Sequence, residues 1–307
     1  IQPSDITITL GCQNAIMHAL QAVTKAGDTV AVETPTYHGI LQAIDVLNLQ
    51  AIEVPCHPNS GIDLQHLETA LNNWDVKACL VTPNNQNPTG SSLAKASREK
   101  LLQICHQHNT TIIEDDVYGE LSYENKRENS LLSYTEYKNV IYCSSFSKSI
   151  APGFRVGWII GGLQQERIEH YASVQSLAIP TLTQRAIANF LENGAYDRHL
   201  RKTRQAYEEN LHRCRALISK YFPEGTTISS PSGGFLLWIT LPKDINALEL
   251  HKRALSEGIG TIPGLVFSIT PKFTHHLRIS YAISWNNRTD TAIKKIGELC
   301  QTQQQEK

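Results

Sequence analysis

A lysine and an arginine lie in one serine-rich turn of the sequence. The turn contains Ser145, Ser147 and Lys148, and Arg155 follows after a Pro-Gly pair. A lysine amine can serve as a nucleophile, and an arginine with serine hydroxyls is suited to bind a phosphate. A lysine flanked by serines is common on protein surfaces. The chemistry therefore depends on which other residues reach the same place.

Acids, a phenol and amides occur in two further segments. Residues 114–118 read EDDVY, with Asp115 three residues before Tyr118, and residues 83–90 read PNNQNPTG, which contains Asn87. A carboxylate, a phenol and an amide can together hold a heteroaromatic ring by hydrogen bonds. The alternatives are that the acids only cap the following turn and that the prolines only mark an irregular loop.

A third segment offers backbone donors. Residues 10–13 read LGCQ between a predicted strand and a predicted helix. The N–H groups of Gly11, Cys12 and Gln13 can therefore face an anion at the positive end of that helix. Taken alone, the glycine is better explained by a tight strand-to-helix connection.

Short β-branched runs alternate with helical patterns through the first half of the chain, which predicts βαβ units and a mainly parallel sheet. We predict seven strands, at residues 6–10, 29–33, 51–54, 78–82, 111–114, 140–144 and 156–160, and helices at residues 13–26, 38–48, 64–73 and 93–108. The connection 145–155 is too short for a parallel crossover, so the last strand is predicted to be antiparallel. The polar segments follow strand ends, where ligands bind in such sheets.

The pattern changes at residue 196 to one long, charged amphipathic helix that extends to residue 221. Beyond it, short strands at 226–229, 235–240 and 276–281 mix with helices at 246–258 and 288–301, which predicts a small α+β domain, and residues 302–307 are expected to fray. We therefore divide the chain into a large domain, residues 1–195, and an interdomain helix with a small domain, residues 196–307.

Composition excludes several classes of protein. The 307 residues carry 28 Lys and Arg against 29 Asp and Glu, so these residues have no general attraction for nucleic acid or anionic membranes. The sequence has neither a bilayer-length apolar stretch nor a signal-peptide pattern, which predicts a cytoplasmic protein. The cysteine and histidine spacings match neither a disulfide framework nor a metal site, so we expect buried, reduced thiols and no metal.

A nucleophilic lysine, an arginine with serines, and a carboxylate with phenol and amide together describe a site for pyridoxal 5'-phosphate (PLP). The NPTG, DxxY and SxSK segments and the following arginine resemble the aminotransferase class I and II family of PLP enzymes with fold type I. The resemblance extends from about residue 6 to residue 300. It implies an α/β fold with a seven-stranded, mainly parallel sheet flanked by helices, and a smaller C-terminal α+β domain.

The resemblance also implies a role for each residue. Lys148 corresponds to the Schiff-base lysine and Asp115 to the partner of the pyridine nitrogen, and with Tyr118 they form the expected catalytic set. Arg278, with Asn87, is expected to bind the substrate α-carboxylate. Cys12 replaces the small hydroxyl residue common at its position. The expected cofactor-binding residues are Gly11, Cys12, Gln13, Tyr37 (stacked on the ring), Asn87, Asp115, Tyr118, Ser145, Ser147, Lys148 and Arg155.

Several phrases resemble one branch of the family, the aminotransferase-like domain of MocR-type transcriptional regulators of the GntR family. They are residues 57–64 (HPNSGIDL), 113–121 (IEDDVYGEL) and 145–153 (SFSKSIAPG). This branch implies an effector-sensing homodimer that forms external aldimines with amines or amino acids and contacts DNA only through an upstream module. The family's N-terminal arm is expected to be missing from these residues. The alternative is a free-standing amino-acid aminotransferase, which transfers an amino group to a 2-oxo acid.

Overall fold

The structure is a computed structural model that describes residues 1–124, 127–134 and 138–306. These residues form two β-sheets, one of eight strands and one of four, with helices packed on both. The spatial order of the large sheet is β1-β8-β7-β6-β5-β2-β3-β4. Its strands are β1 (Ile6–Thr9), β2 (Thr29–Thr34), β3 (Gln50–His57), β4 (Gly61–Ile62), β5 (Val76–Val81), β6 (Thr111–Asp115), β7 (Val140–Ser145) and β8 (Gly157–Ile160).

The direction of the strands follows the length of their connections. The neighbours β3, β2, β5, β6 and β7 are parallel, whereas β8 is antiparallel to both β7 and β1, as the short connection before β8 predicts. The predicted number of seven strands is wrong. A tight turn after β3 lets β4 pair antiparallel with Cys56 and His57 as an eighth strand, and two residues are too few to show an alternating pattern.

Helices cover both faces of the large sheet. They are α1 (Cys12–Val23), α2 (His38–Val46), α3 (Leu64–Asn73), α4 (Lys95–Gln107), α5 (Gln165–Ser176) and α6 (Thr181–Glu192). The first four agree with the sequence-based prediction, whereas α5 and α6 were not predicted. Of the described residues, α5 buries only Ile168 and α6 only Ile187. The sequence of α5 lacks a clear apolar stripe, whereas α6 is amphipathic and its pattern was overlooked.

Successive residues of β2 pack against the helix layers on opposite faces of the sheet. Val30 and Val32 pack with α1 and α2 in one core cluster, whereas Ala31 packs with α3 and α4 in the other. Both faces are therefore apolar, as parallel strands require. Each fully buried valine contributes about 1.5–3 kcal/mol to folding.

The second sheet forms an α+β unit, as predicted. The elements are α7 (Ala195–Tyr221), β9 (Thr227–Ile228), β10 (Leu236–Thr240), α8 (Ala247–Ser256), β11 (Ile262–Pro263), β12 (His276–Ser280) and α9 (Asn287–Gln305). The strand order is β11-β12-β10-β9, all antiparallel, and helices pack against the sheet around Leu237 and Cys214. The expected fraying of 302–307 is wrong up to residue 306, because Gln303 is buried and accepts a hydrogen bond from Asn246 N at 2.6 Å. The domain boundary after residue 195 stays a prediction.

The cysteines, possible metal sites and helix lengths can be compared with the sequence-based expectations. All seven cysteines are buried, free thiols. Among residues 1–124, 127–134 and 138–306, no group of three His, Cys, Asp or Glu side chains is placed to hold a metal ion. In that same part of the chain, no helix has both the length and the hydropathy needed to cross a bilayer.

Candidate functional site

One cavity of about 380 Å³ lies at the carboxyl ends of β5, β6 and β7, and β12 of the second sheet also lines it. Parallel strands bring their carboxyl ends to the same edge, so segments far apart in sequence meet there. Every predicted site residue except Gly11 lines this cavity: Cys12, Gln13, Tyr37, Asn87, Asp115, Tyr118, Ser145, Ser147, Lys148, Arg155 and Arg278.

The start of α1 forms an anion-binding cradle with Arg155. The guanidinium donates from Nη2 to Leu10 O at 2.6 Å and from Nη1 to Ser147 Oγ at 3.3 Å. Gly11 has a φ of +88°, and a Cβ there would lie 2.5 Å from Arg155 Nη2, so both the backbone and the close approach require glycine. The free N–H groups of the helix start, the guanidinium and the serine hydroxyls therefore favour an anion at the same place.

Asp115 ends β6 and lines the cavity. Its Oδ1 accepts hydrogen bonds from Cys12 Sγ at 3.1 Å and from Val117 N at 3.3 Å. Burial raises the pKa of Asp115 to about 6, although these two hydrogen bonds oppose the rise. The carboxylate is therefore mainly an anion at neutral pH, with a proton affinity well above that of an exposed aspartate.

Asp116 lies outside the cavity lining. Its carboxylate pairs with Arg127 and accepts hydrogen bonds from Tyr142 Oη at 2.9 Å and Asn84 Nδ2 at 2.7 Å. Arg127 therefore balances the negative charge of Asp116, and the hydrogen bonds satisfy its carboxylate oxygens. Of the two adjacent acids, only Asp115 is left to meet a ligand in the cavity.

Lys148 follows β7. Among the described residues that line the cavity, it is the single lysine. Burial lowers the pKa of its amine, the Arg278 cation lowers it further, and the Asp115 carboxylate partly offsets both. A lower pKa leaves a larger neutral fraction of the amine at neutral pH, and the neutral amine is the nucleophile.

Two phenols and an amide line the cavity from three different loops. Tyr37 precedes α2, Asn87 follows β5, and Tyr118 follows β6. Tyr118 packs edge-on against Phe235, with ring centroids 5.4 Å apart. Burial raises the pKa of Tyr37 and of Tyr118, so both phenols keep their protons at neutral pH and can donate hydrogen bonds.

Two glutamines hold these loops in place. Gln13 Nε2 donates to Gly39 O at 2.7 Å, next to the Tyr37 ring. Gln86 Nε2 donates to Pro35 O at 2.7 Å and so joins the Asn87 loop to the Tyr37 turn. The Gln13 side chain thus supports Tyr37, while its predicted role as a backbone donor to an anion stays a prediction.

Arg278 reaches the cavity from β12. Its Nη1 donates to Asn87 Oδ1 at 2.9 Å, and its Cζ lies 5.2 Å from the centroid of the Phe267 ring. Its Nε is buried without a hydrogen-bond partner among the described residues. A guanidinium with a buried donor left over is suited to bind a carboxylate.

The sequence analysis missed several residues that line the cavity. Ser280 stands two residues after Arg278 on β12, a spacing that places both on one face of the strand, and His38 directly follows Tyr37. These spacings were signals that could have found both. Burial lowers the pKa of His38, so its ring is neutral at neutral pH. The missed lining residues are Ile16, His38, Thr82, Val117, Phe235, Leu236 and Ser280.

The fold is that of PLP-dependent aminotransferases. The structure superimposes on LysN, the α-aminoadipate aminotransferase of Thermus thermophilus, solved as a complex with N-(5'-phosphopyridoxyl)-L-leucine, with a TM-score of 0.93 and 28% identity. The match covers 99% of this chain and 79% of LysN. The aminotransferase class I and II family model matches residues 1–296, and the chain belongs to that family, as its motifs indicated.

Two Escherichia coli (strain K12) proteins named as uncharacterized HTH-type transcriptional regulators are also similar to this chain. YjiR is 40% identical over 299 residues and YdcR is 37% identical over 301 residues. The matches cover 97% and 98% of this chain but 63% and 64% of the two regulators. The chain therefore spans less than two thirds of the length of these relatives.

Proposed function

We propose that the chain is a PLP-binding, aminotransferase-like domain that senses an amine or amino acid as part of a MocR-type regulator of the GntR family. The observation that supports PLP binding is the meeting of an anion cradle, the Asp115 carboxylate and the Lys148 amine in one cavity. These groups have the chemistry needed for the phosphate, the ring nitrogen and the aldehyde of PLP. When bound, PLP supplies an aldehyde that condenses with amines and a ring that accepts electrons.

Each side chain then has a defined task. Gly11 leaves room for Arg155, which with Ser145, Ser147 and the start of α1 binds the phosphate. Tyr37 stacks on the ring, while Asn87 and Tyr118 donate hydrogen bonds to it. This set of contacts fixes the position of the ring against the lysine.

Lys148, Asp115 and Arg278 are assigned to the reaction itself. Lys148 provides the neutral amine that holds the cofactor and afterwards moves a proton at the substrate α-carbon. Asp115 keeps the ring nitrogen protonated by its negative charge. Arg278 binds the substrate carboxylate through the guanidinium, and its buried Nε gains a partner in doing so.

The regulatory interpretation rests on the relatives. The identity to YjiR and YdcR exceeds the identity to LysN, whereas the cavity residues suit a sensor and an enzyme equally. With a net charge of −1, these 307 residues have no general affinity for DNA, so we assign DNA contact to an upstream module. The buried free cysteines support a cytoplasmic location, where thiols stay reduced. The second candidate is a free-standing amino-acid aminotransferase.

The reading frame upstream of Ile1 is expected to encode a winged helix-turn-helix and a linker fused to this domain. Sequencing that region is the measurement, because the two candidate functions predict different neighbours. An initiator methionine followed only by an aminotransferase arm would transfer the assignment to the enzyme.

We also propose that the intact protein is a homodimer. Val174 lies on α5, Leu182 on α6 and Leu177 between these helices, and they are 66%, 81% and 91% exposed. We place the second copy on this apolar surface. Sedimentation of the intact protein is expected to give twice the mass of the monomer. Leu177→Asp with Leu182→Asp is expected to weaken the dimer at least about tenfold, because charges would be buried in an apolar contact.

Leu255→Asp is the matched control, because Leu255 lies on α8 and is 58% exposed. It is expected to sediment like the wild-type protein. A wild-type monomer with full PLP affinity, or a dimer that the double substitution leaves intact, would contradict the proposed contact.

A further inference from the structure

The Cys12 thiol contacts the Asp115 carboxylate. Cys12 is the first residue of α1, and its Sγ donates to Asp115 Oδ1 at 3.1 Å across 103 positions of sequence. Val117 N donates to the same oxygen at 3.3 Å. Among the described residues no hydrogen bond reaches Asp115 Oδ2, so the two donors hold one oxygen and leave the other for a ligand.

We propose that Cys12 is a positioning residue that orients Asp115 and stabilises its anionic form for the cofactor's ring nitrogen. This inference rests on the proposed function and adds a role to a residue that we had assigned only as a backbone donor to phosphate. Cys12 thereby connects the anion cradle at the start of α1 to the carboxylate at the end of β6.

The protonation state of the thiol supports this role. Burial raises the pKa of Cys12 well above its usual value, and the nearby Asp115 charge raises it further. The thiol therefore keeps its proton at neutral pH and acts as the donor. A hydrogen bond to a carboxylate favours its charged form, which opposes the effect of burial on Asp115.

Other titratable groups around Asp115 act through charge. Asp116 raises the pKa of Asp115, and Lys148 lowers it. In the described part of the chain, Cys12 is the side chain that donates a hydrogen bond to the carboxylate, so its removal tests orientation and charge together. The titratable groups with electrostatic interactions with Asp115 are Cys12, Glu33, Tyr37, Asp116, Tyr118, Cys143 and Lys148.

The experiment is a carboxyl 13C NMR titration of the full chain labelled at aspartate, first without cofactor. Asp115→Asn assigns the signal, which is expected to titrate near pH 6 in the wild-type protein. Cys12→Ala is expected to raise that midpoint by about one pH unit, because one hydrogen bond to a charged group is lost. Cys12→Ser keeps a hydrogen-bond donor, so its midpoint is expected to rise by less than about half as much as that of Cys12→Ala.

Cys143→Ala is the matched control, because Cys143 is fully buried and is the register partner of Asp115 on β7 but does not line the cavity. It is expected to leave the midpoint unchanged, because burial raises the pKa of the Cys143 thiol and the thiol is therefore uncharged near pH 6. Cys12→Val, which has no donor and a similar volume, replaces Cys12→Ala if circular dichroism shows that the alanine variant is unfolded. An unchanged midpoint in the variant without a donor, or an equal shift in Cys143→Ala, would overturn the proposal.

The same variants are then titrated with PLP by absorbance. Cys12→Ala is expected to bind PLP several-fold more weakly than the wild-type protein, and Cys12→Ser is expected to restore the affinity. An unchanged PLP affinity in Cys12→Ala would also overturn the proposal. If even the wild-type protein does not bind PLP, the proposed function fails instead, and the cofactor-free titration distinguishes the two cases.

Discussion

Replacement of Lys148 by alanine is expected to abolish covalent attachment of PLP. The wild-type protein, loaded with PLP and treated with borohydride, is expected to gain the mass of one reduced cofactor on the peptide that contains Lys148. The reason is that Lys148 is the lysine that lines the cavity in the described chain, and its lowered pKa supplies neutral amine. Mass spectrometry of the digested protein is the measurement.

Lys138→Ala is the control for this experiment, because Lys138 is an exposed lysine just before β7 and does not line the cavity. It is expected to retain full covalent attachment. Noncovalent binding to Lys148→Ala is expected to persist at reduced affinity, because the Arg155 cradle and Asp115 are unchanged. A borohydride-stable adduct in Lys148→Ala would show that a different amine reacts.

Much of the fold could be predicted because its pattern is local. The buried strands of the large sheet are short apolar runs, and the polar residues that end β6 and β7 follow them directly in sequence. The rule that ligands bind at the carboxyl edge then places Asp115 and Lys148 together. Two of the missed elements lack such a pattern: β4 has two residues, and α5 has no clear apolar stripe. Helix α6 does have an amphipathic pattern, which the sequence analysis overlooked.

The contacts inside the site could not be predicted in the same way. The hydrogen bond between Cys12 and Asp115 and the bond between Arg278 and Asn87 join residues 103 and 191 positions apart. Their geometry depends on how helices and the second sheet pack on the large sheet. A sequence motif identifies the kind of residue at each position, but only the packing shows which oxygen or nitrogen has a partner.

Asp115→Asn is expected to slow the half-reaction of the PLP-loaded protein at least about 100-fold, with any amino acid that the wild-type protein accepts. The amide has the shape of the carboxylate but not its charge, so the ring nitrogen is no longer kept protonated. Asp116→Asn is expected to slow the same reaction less than about tenfold. Stopped-flow absorbance of the bound cofactor measures both rates, and the reverse ranking would contradict the assignment.

The two substitutions are expected to rank the other way in the free energy of unfolding: Asp116→Asn destabilises the fold more than Asp115→Asn does. Asp116→Asn breaks the pair with Arg127, whose side chain is 35% exposed, and is expected to cost about 2 kcal/mol of unfolding free energy.

Burial raises the folded-state pKa of Asp115 to about 6, so the folded protein binds this proton more tightly than the unfolded chain does. That contribution to stability is present at low pH and is lost as the pH rises through about 6. Asp115→Asn is therefore expected to be at least as stable as the wild-type protein at pH 7, as measured by urea unfolding. The Asp115 carboxylate thus weakens the fold at neutral pH while it serves the cavity, whereas Asp116 stabilises the scaffold.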